Sequence, residues 1–253
     1  MLGWLFGHRP KSAQQFVTRV PPGTRVYAIG DIHGRADLLD DMHVMIRADA
    51  ANAPSKRIVI YLGDYVDRGL QSSGVIDLLL DRPLSGFESV HLKGNHEAAL
   101  LDFLIDSRIG PNWLQFGGGA TLLSYHVGLQ THEGGAIDFA AAQREFSQRL
   151  PSRHLEFFRG LALTYEQGDY LFVHAGIRPE IALDQQKSED LMWIRDEFLD
   201  FTGDFGRMIV HGHTITEEPE VCNNRIGIDT GAFATGRLTC LILEGSERRF
   251  LST

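Results

Sequence analysis

A chain of 253 residues with 43% hydrophobic and 23% charged side chains is long enough for one large core and ordinary in composition for a globular enzyme. Its 33 acidic against 24 basic residues, a formal charge of -9, argue against nucleic-acid binding as the main task, and no apolar run nears the roughly 20 residues of a membrane span. Cys222 and Cys240 are the only cysteines and lack a Cys-x-x-Cys spacing, which points to a reduced, cytoplasmic protein.

Residues 1–6 are apolar, but His8-Arg9-Pro10 interrupts them too early for a signal peptide. Residues 1–20 read as an N-terminal tail, and 21–253 as one domain. The spacing predicts a strand over 25–29, ending at Gly30, then a helix with Leu38, Leu39, Met42, Met45 and Ile46 on one face. The apolar run 58–62 reads as a strand buried on both faces and ends at Gly63. A helix over 75–80 and a short strand over 89–92 follow. A third helix opens at Asn95 or His96 and carries Leu100, Leu101, Leu104 and Ile105. This βαβαβ alternation predicts parallel strands with covering helices. Residues 111–160 read as a helical insert. It holds a Gly117-Gly118-Gly119 turn, a second pair at Gly134-Gly135, and a helix with Phe139, Ala142, Phe146 and Leu150 on a face, and Pro151 ends it or opens the next. Strands over 170–173, 208–210, 225–228 and 238–243, separated by turn residues, predict an antiparallel second half.

Each of the first three strands ends in a cluster rich in hard or borderline metal ligands: Asp31 and His33, then Asp64 and Asp67 with Arg68, whose guanidinium suits phosphate, then Asn95, His96 and Glu97. Two later strand ends add His174, before Ala175-Gly176, and His213, after Gly212. The carboxyl ends of parallel strands share one edge, so these clusters are expected to converge. Oxygen and imidazole donors without thiolate suit Mn, Fe or Zn. One carboxylate can bridge two cations, and Asp64 is the natural candidate. A cation pair about 3.5–4 Å apart lowers the pKa of a shared water to about 7.

These clusters, in this order across residues 30–213, resemble the calcineurin-like metallophosphoesterases, and within them the phosphoprotein phosphatase family. The resemblance implies an α/β fold of two sheets flanked by helices in a four-layer sandwich. It implies one divalent ion on Asp31, His33 and Asp64, and a second on Asp64, Asn95, His174 and His213, with Mn expected and Fe or Zn as alternatives. It also implies that His96, oriented by Asp67, protonates the leaving oxygen, and that Arg68 clamps the phosphate. Trp193 stands two residues before Arg195, as in the family's bacterial and phage enzymes, which makes Arg195 a second phosphate contact.

Blander readings stand beside these. Asp31 and Asn95, taken singly, are ordinary turn or cap residues. His43 and His91 read as satisfied core or edge residues, His211 as packing beside the site, and Glu97 as stabilising its helix dipole. The Gly117–Gly119 run reads as a flexible turn. The wording of residues 64–69 is nearest the serine/threonine protein phosphatases, so a phosphorylated protein is the first expected substrate. Against this, no counterpart of the eukaryotic C-terminal loop, with its aromatic residue over the site, is recognisable. The ending Gly227-Ile228-Asp229-Thr230-Gly231 looks bacterial, which keeps symmetrical diadenosine tetraphosphate hydrolysis second. A tyrosine-directed or small-molecule phosphatase is third.

Overall fold

Glycine and polar turns cut the apolar runs into short strands, and the computed structural model, which describes residues 17–132 and 135–253, arranges ten of these in two sheets. The apolar segment 1–6 and Gly134 lie outside the described residues. The first half runs β1 (Thr24–Ile29), α1 (Ala36–Asp49), β2 (Lys56–Tyr61), α2 (Ser72–Asp81), β3 (Glu88–His91) and α3 (Asn95–Ile105). Helices α4 (Gly110–Gln115), α5 (Gly118–Ser124), α6 (Phe139–Arg149) and α7 (Ser152–Arg159) follow. The second half contains β4 (Thr164–Gln167), β5 (Tyr170–Val173), α8 (Ser188–Trp193), α9 (Asp196–Leu199) and β6 (Met208–His211). The chain closes with β7 (Glu220–Val221), β8 (Arg225–Gly227), α10 (Ala232–Thr235), β9 (Thr239–Glu244) and β10 (Glu247–Ser252). No helix among the described residues is long and apolar enough to cross a membrane.

The sheets have the orders β10-β9-β1-β2-β3 and β4-β5-β6-β8-β7. Successive strand residues point to opposite faces, so the central strands serve two cores. Val26, Ala28, Ile58 and Ile60 meet Tyr170, Phe172 and Val210 between the sheets. Tyr27, Ile29, Val59 and Tyr61 face the other way, onto Leu39 and Met42 of α1 and Val75 and Leu79 of α2. On the far side, Leu171, Val173 and Ile209 pack against Leu191 and Phe198 of α8 and α9. The result is the four-layer order expected, helix, sheet, sheet, helix. Burying an Ile, Val or Leu side chain stabilises by roughly 1.5–3 kcal/mol, so the middle layer holds the sheets in register.

Two expectations change. The second half is not simply antiparallel: β5 pairs with β6, and β6 with β8, in parallel, while β4 and β7 flank them antiparallel and β9 runs antiparallel to β1 and β10 in the other sheet. The segment between β5 and β6 carries α8 and α9, long enough to cross over and return in the same direction. On α3 the buried face is Ala99, Leu100 and Phe103, while Ile105 is 83% exposed. One residue past the buried stripe, a helical side chain has rotated out of the core.

Candidate metal centre

Because β1, β2 and β3 run parallel in one sheet and β5 and β6 in the other, the loops after them open on a common rim. That edge gathers Asp31, His33, Asp64, Asn95, His96, His174 and His213, all buried. Ligand atoms of His33, Asp64 and His96 lie within 4.8 Å of one another, as do those of Asp64, His174 and His213. Asp64 belongs to both groups. The Asn95 Oδ1 stands 3.0 Å from His174 Nε2 and 3.0 Å from His213 Nδ1. The Asp31 Oδ2 accepts the His213 backbone N–H at 3.0 Å, while its Oδ1 is buried without a partner.

Local backbone geometry makes this crowding possible. A Cβ on Gly94 would lie 2.0 Å from Asp64 Oδ1, and one on Gly212 2.0 Å from Asp31 Oδ1, so both glycines admit a carboxylate where a side chain would stand. His33, Asp64, Asp67, Arg68 and His213 adopt φ between 46° and 70°, a left-handed conformation costing about 1–3 kcal/mol each outside glycine. Glu97 stabilises part of this strain. Its carboxylate accepts the backbone N–H groups of Asp64, Tyr65, Val66 and Gly94, which ties the loop after β2 to the start of α3. Its role is therefore this clamp rather than the helix dipole alone. Burial and the charge of Asp64 push its pKa up to about 8.

The electrostatics fit bound cations. His33 Nδ1 donates to Val66 O and His174 Nδ1 to Leu62 O, each at 2.9 Å, which leaves both Nε2 lone pairs facing inward. Burial pushes the His33 pKa down to about 3 and lowers those of His174 and His213, so these rings are neutral donors. The His213 Nε2 is buried and unpartnered. Burial, together with the charges of Asp229 and Asp64, pushes Asp31 well above the usual carboxylate range, and burial raises Asp229 to about 6. The buried carboxylates Asp31, Asp64 and Asp229, with orphaned oxygens on Asp31 and Asp229, are costly unless cations offset them. Neither cysteine enters the site, so the donors are all nitrogen and oxygen.

The remaining candidates surround this centre. His96 Nδ1 and Asp67 Oδ2 are 2.7 Å apart, and Asp67 is held in turn by Trp113 Nε1 at 2.9 Å and Thr121 Oγ1 at 2.5 Å. Burial disfavours the charged ring, but Asp64 and the bond to Asp67 outweigh it, so the His96 pKa is raised. Arg68 Nη1 lies 3.0 Å from His33 Nε2, and its guanidinium covers Phe233, 4.7 Å from the ring centroid. Arg195 stands at the rim, where its Nη1 is 3.4 Å from Thr214 Oγ1.

Several neighbours had no signal in the sequence reading. Phe233 lies edge-on to His33 with ring centroids 5.4 Å apart, so an aromatic side chain from the C-terminal part of the chain borders the site. Asp229 is a further buried carboxylate, beside Asp31. Gly117 is not a flexible turn: its carbonyl accepts the Arg68 N–H at 3.2 Å, and it adopts φ 104° where a Cβ would lie 2.7 Å from Arg68 N. His43 and His211 are packed as expected, His43 bonding Tyr61 Oη at 2.8 Å and His211 lying edge-on to Phe198.

Relatives by sequence match this chain at low identity. The bis(5'-nucleosyl)-tetraphosphatase PrpE [asymmetrical] of Anoxybacillus flavithermus is 27% identical over 235 residues, covering 84% of this chain and 88% of its own. The protein of the same name from Bacillus thuringiensis is 26% identical over 237 residues with the same coverage. Among solved structures, a candidate diadenosine tetraphosphatase superposes with a TM-score of 0.58 at 19% identity, over 93% of this chain and 97% of that one. A cold-active protein tyrosine phosphatase gives 0.55 at 18%, over 96% and 87%. At such identities these structures speak to the fold alone. Residues 24–225 match the model of the calcineurin-like phosphoesterases, and the chain belongs to that family.

Proposed function

We propose that this phosphoesterase hydrolyses dinucleoside polyphosphates, such as diadenosine tetraphosphate, at a two-cation centre held by Asp31, His33, bridging Asp64, Asn95, His174 and His213. The supporting observation is the name of its relatives, tetraphosphatases aligned over 84% of this chain and 88% of their own. This reading displaces the serine/threonine protein phosphatase ranked first on the wording of residues 64–69.

When bound, the two divalent ions supply an activated water and offset charge on the phosphoryl oxygens. The chain's own residues do the rest. The Arg68 fork hydrogen-bonds phosphoryl oxygens, and Arg195, at the rim beside Thr214, is a second contact. Asp67 accepts the Nδ1 proton of His96, which turns Nε2 toward the centre, where it donates a proton to the leaving oxygen. Trp113 and Thr121 fix Asp67 from behind. Left-handed loops and the Glu97 clamp keep the donors in place before substrate arrives, so little reorganisation remains.

The test is product analysis after incubation with Mn²⁺ and diadenosine tetraphosphate. The asymmetrical cleavage in the relatives' names predicts equal amounts of ATP and AMP, one water consumed, rather than the two ADP of symmetrical cleavage. Faster turnover of a phosphoserine peptide than of the dinucleotide would overturn the proposal.

A further inference from the structure

Two aromatic rings at the mouth of the centre belong neither to a core nor to the cation ligands. Phe116, at the end of α4, is 38% exposed, with its ring centroid 6.2 Å from that of His96. Trp193, the last residue of α8, is 37% exposed and 6.4 Å from His213. The two centroids are 5.7 Å apart with the ring planes at 57°, which makes an open corner rather than a closed stack. Phe233 differs, because Arg68 already covers one of its faces. Beside Trp193 a cavity of about 550 Å³ opens, within the roughly 300–1,000 Å³ of small-molecule sites; Arg195 and Lys187 line it together with Glu189 and Asp196, while Asp190 and Glu197 in its wall are paired with Arg178. Phe116 borders His96, so the corner lies on the side from which a leaving group receives its proton.

We propose that Trp193 and Phe116 form a nucleobase platform. One purine of the substrate stacks on the indole, Phe116 closes its edge, and the adjoining phosphates run toward Arg195 and Lys187. The assignment rests on the dinucleotide reading above and deepens it. A flat π-surface facing water next to a phosphate-binding arginine is what a base on a phosphate chain requires, and stacking on an aromatic side chain tolerates any base.

The test compares AMP with ribose 5-phosphate, the same phosphate and sugar without a base, as competitive inhibitors of the Mn²⁺-loaded enzyme acting on p-nitrophenyl phosphate. The wild type is expected to bind AMP about tenfold or more tighter. Trp193→Ala should erase most of that advantage, Phe116→Ala part of it, and Trp193→Phe should restore it. Equal inhibition by the two ligands in the wild type would overturn the platform, as would an advantage unchanged in both alanine variants. So would a phenyl phosphate advantage that depends on Trp193 as strongly, since that describes an aryl phosphate site. If dinucleotides are not cleaved but the AMP advantage tracks Trp193, the substrate reading fails and the platform stands. If they are cleaved while the variants keep the advantage, only the platform fails.

Discussion

Replacing Asp67 by Asn separates the charge behind His96 from the shape that holds it. Asp67 is fully buried, and its Oδ2 faces both His96 Nδ1 and Trp113 Nε1 while Oδ1 faces Thr121 Oγ1. An Asn oxygen can take the Oδ2 place and keep both donors. Its amide then donates to Thr121 Oγ1, which turns its own proton toward Ser72 Oγ, 3.1 Å away. The second amide N–H and the Ser72 hydroxyl proton lose their partners, so the fold should lose about 1–3 kcal/mol. What disappears is the charge. A hydrogen bond to a charged partner contributes about 1.5–3 kcal/mol against about 0.5–1.5 for a neutral one. The difference of about 1–2 kcal/mol corresponds to roughly 5- to 30-fold in the availability of the protonated ring. Glycerol phosphate, whose alkoxide must be protonated as it leaves, should therefore lose about 5- to 30-fold in kcat. The stable phenolate of p-nitrophenyl phosphate should leave almost as fast as before. The assay is kcat on both esters, with Mn²⁺ affinity by calorimetry as the control. Equal losses on the two esters, or none on either, would refute His96 as the proton donor positioned by Asp67.

Further outcomes follow from the same geometry. Asp64 is common to both ligand groups, so Asp64→Asn should lower bound Mn²⁺ from two per chain to one or none by elemental analysis; two retained ions would contradict the bridging role. Gly94→Ala places a Cβ 2.0 Å from Asp64 Oδ1 and 2.5 Å from its backbone N, and should destabilise by about 1–3 kcal/mol in urea titrations and weaken Mn²⁺ binding. Gly128→Ala, where a Cβ meets nothing within 4 Å, should stay near wild type. Burial, reinforced by Arg47, pushes the pKa of His43 down to about 4, so its contribution to stability is complete above about pH 6.5 and lost as pH falls toward 4. In the chelated protein, His43→Gln should therefore lose about 1–3 kcal/mol less than wild type between pH 7 and 4; identical slopes would refute the assignment.

Much of the fold was legible because local pattern and tertiary role coincide. The run at 58–62 is apolar at every position because β2 is covered on both faces, and the helix over 36–49 shows its buried stripe at helical spacing. Strand β10 gave no such signal: Glu247, Arg248 and Arg249 occupy a sheet edge, where charge discourages pairing with another chain. The direction of β6 was also hidden, because parallel and antiparallel strands read alike and only the path of the crossover differs.

The donor set is equally local, since Asp31, His33, Asp64, Asn95, His96, His174 and His213 each sit where a strand gives way to a turn, a place visible in the chain itself. What surrounds them is not. Asp229 against Asp31, Phe233 beneath Arg68, Glu97 gathering four backbone N–H groups, and Phe116 brought beside Trp193 are contacts between segments far apart in sequence. No periodicity encodes such pairs, because each depends on how two sheets and an inserted group of helices pack in space. The residue types thus announce phosphate-ester chemistry, while the walls that would choose the ester exist only once the chain has folded.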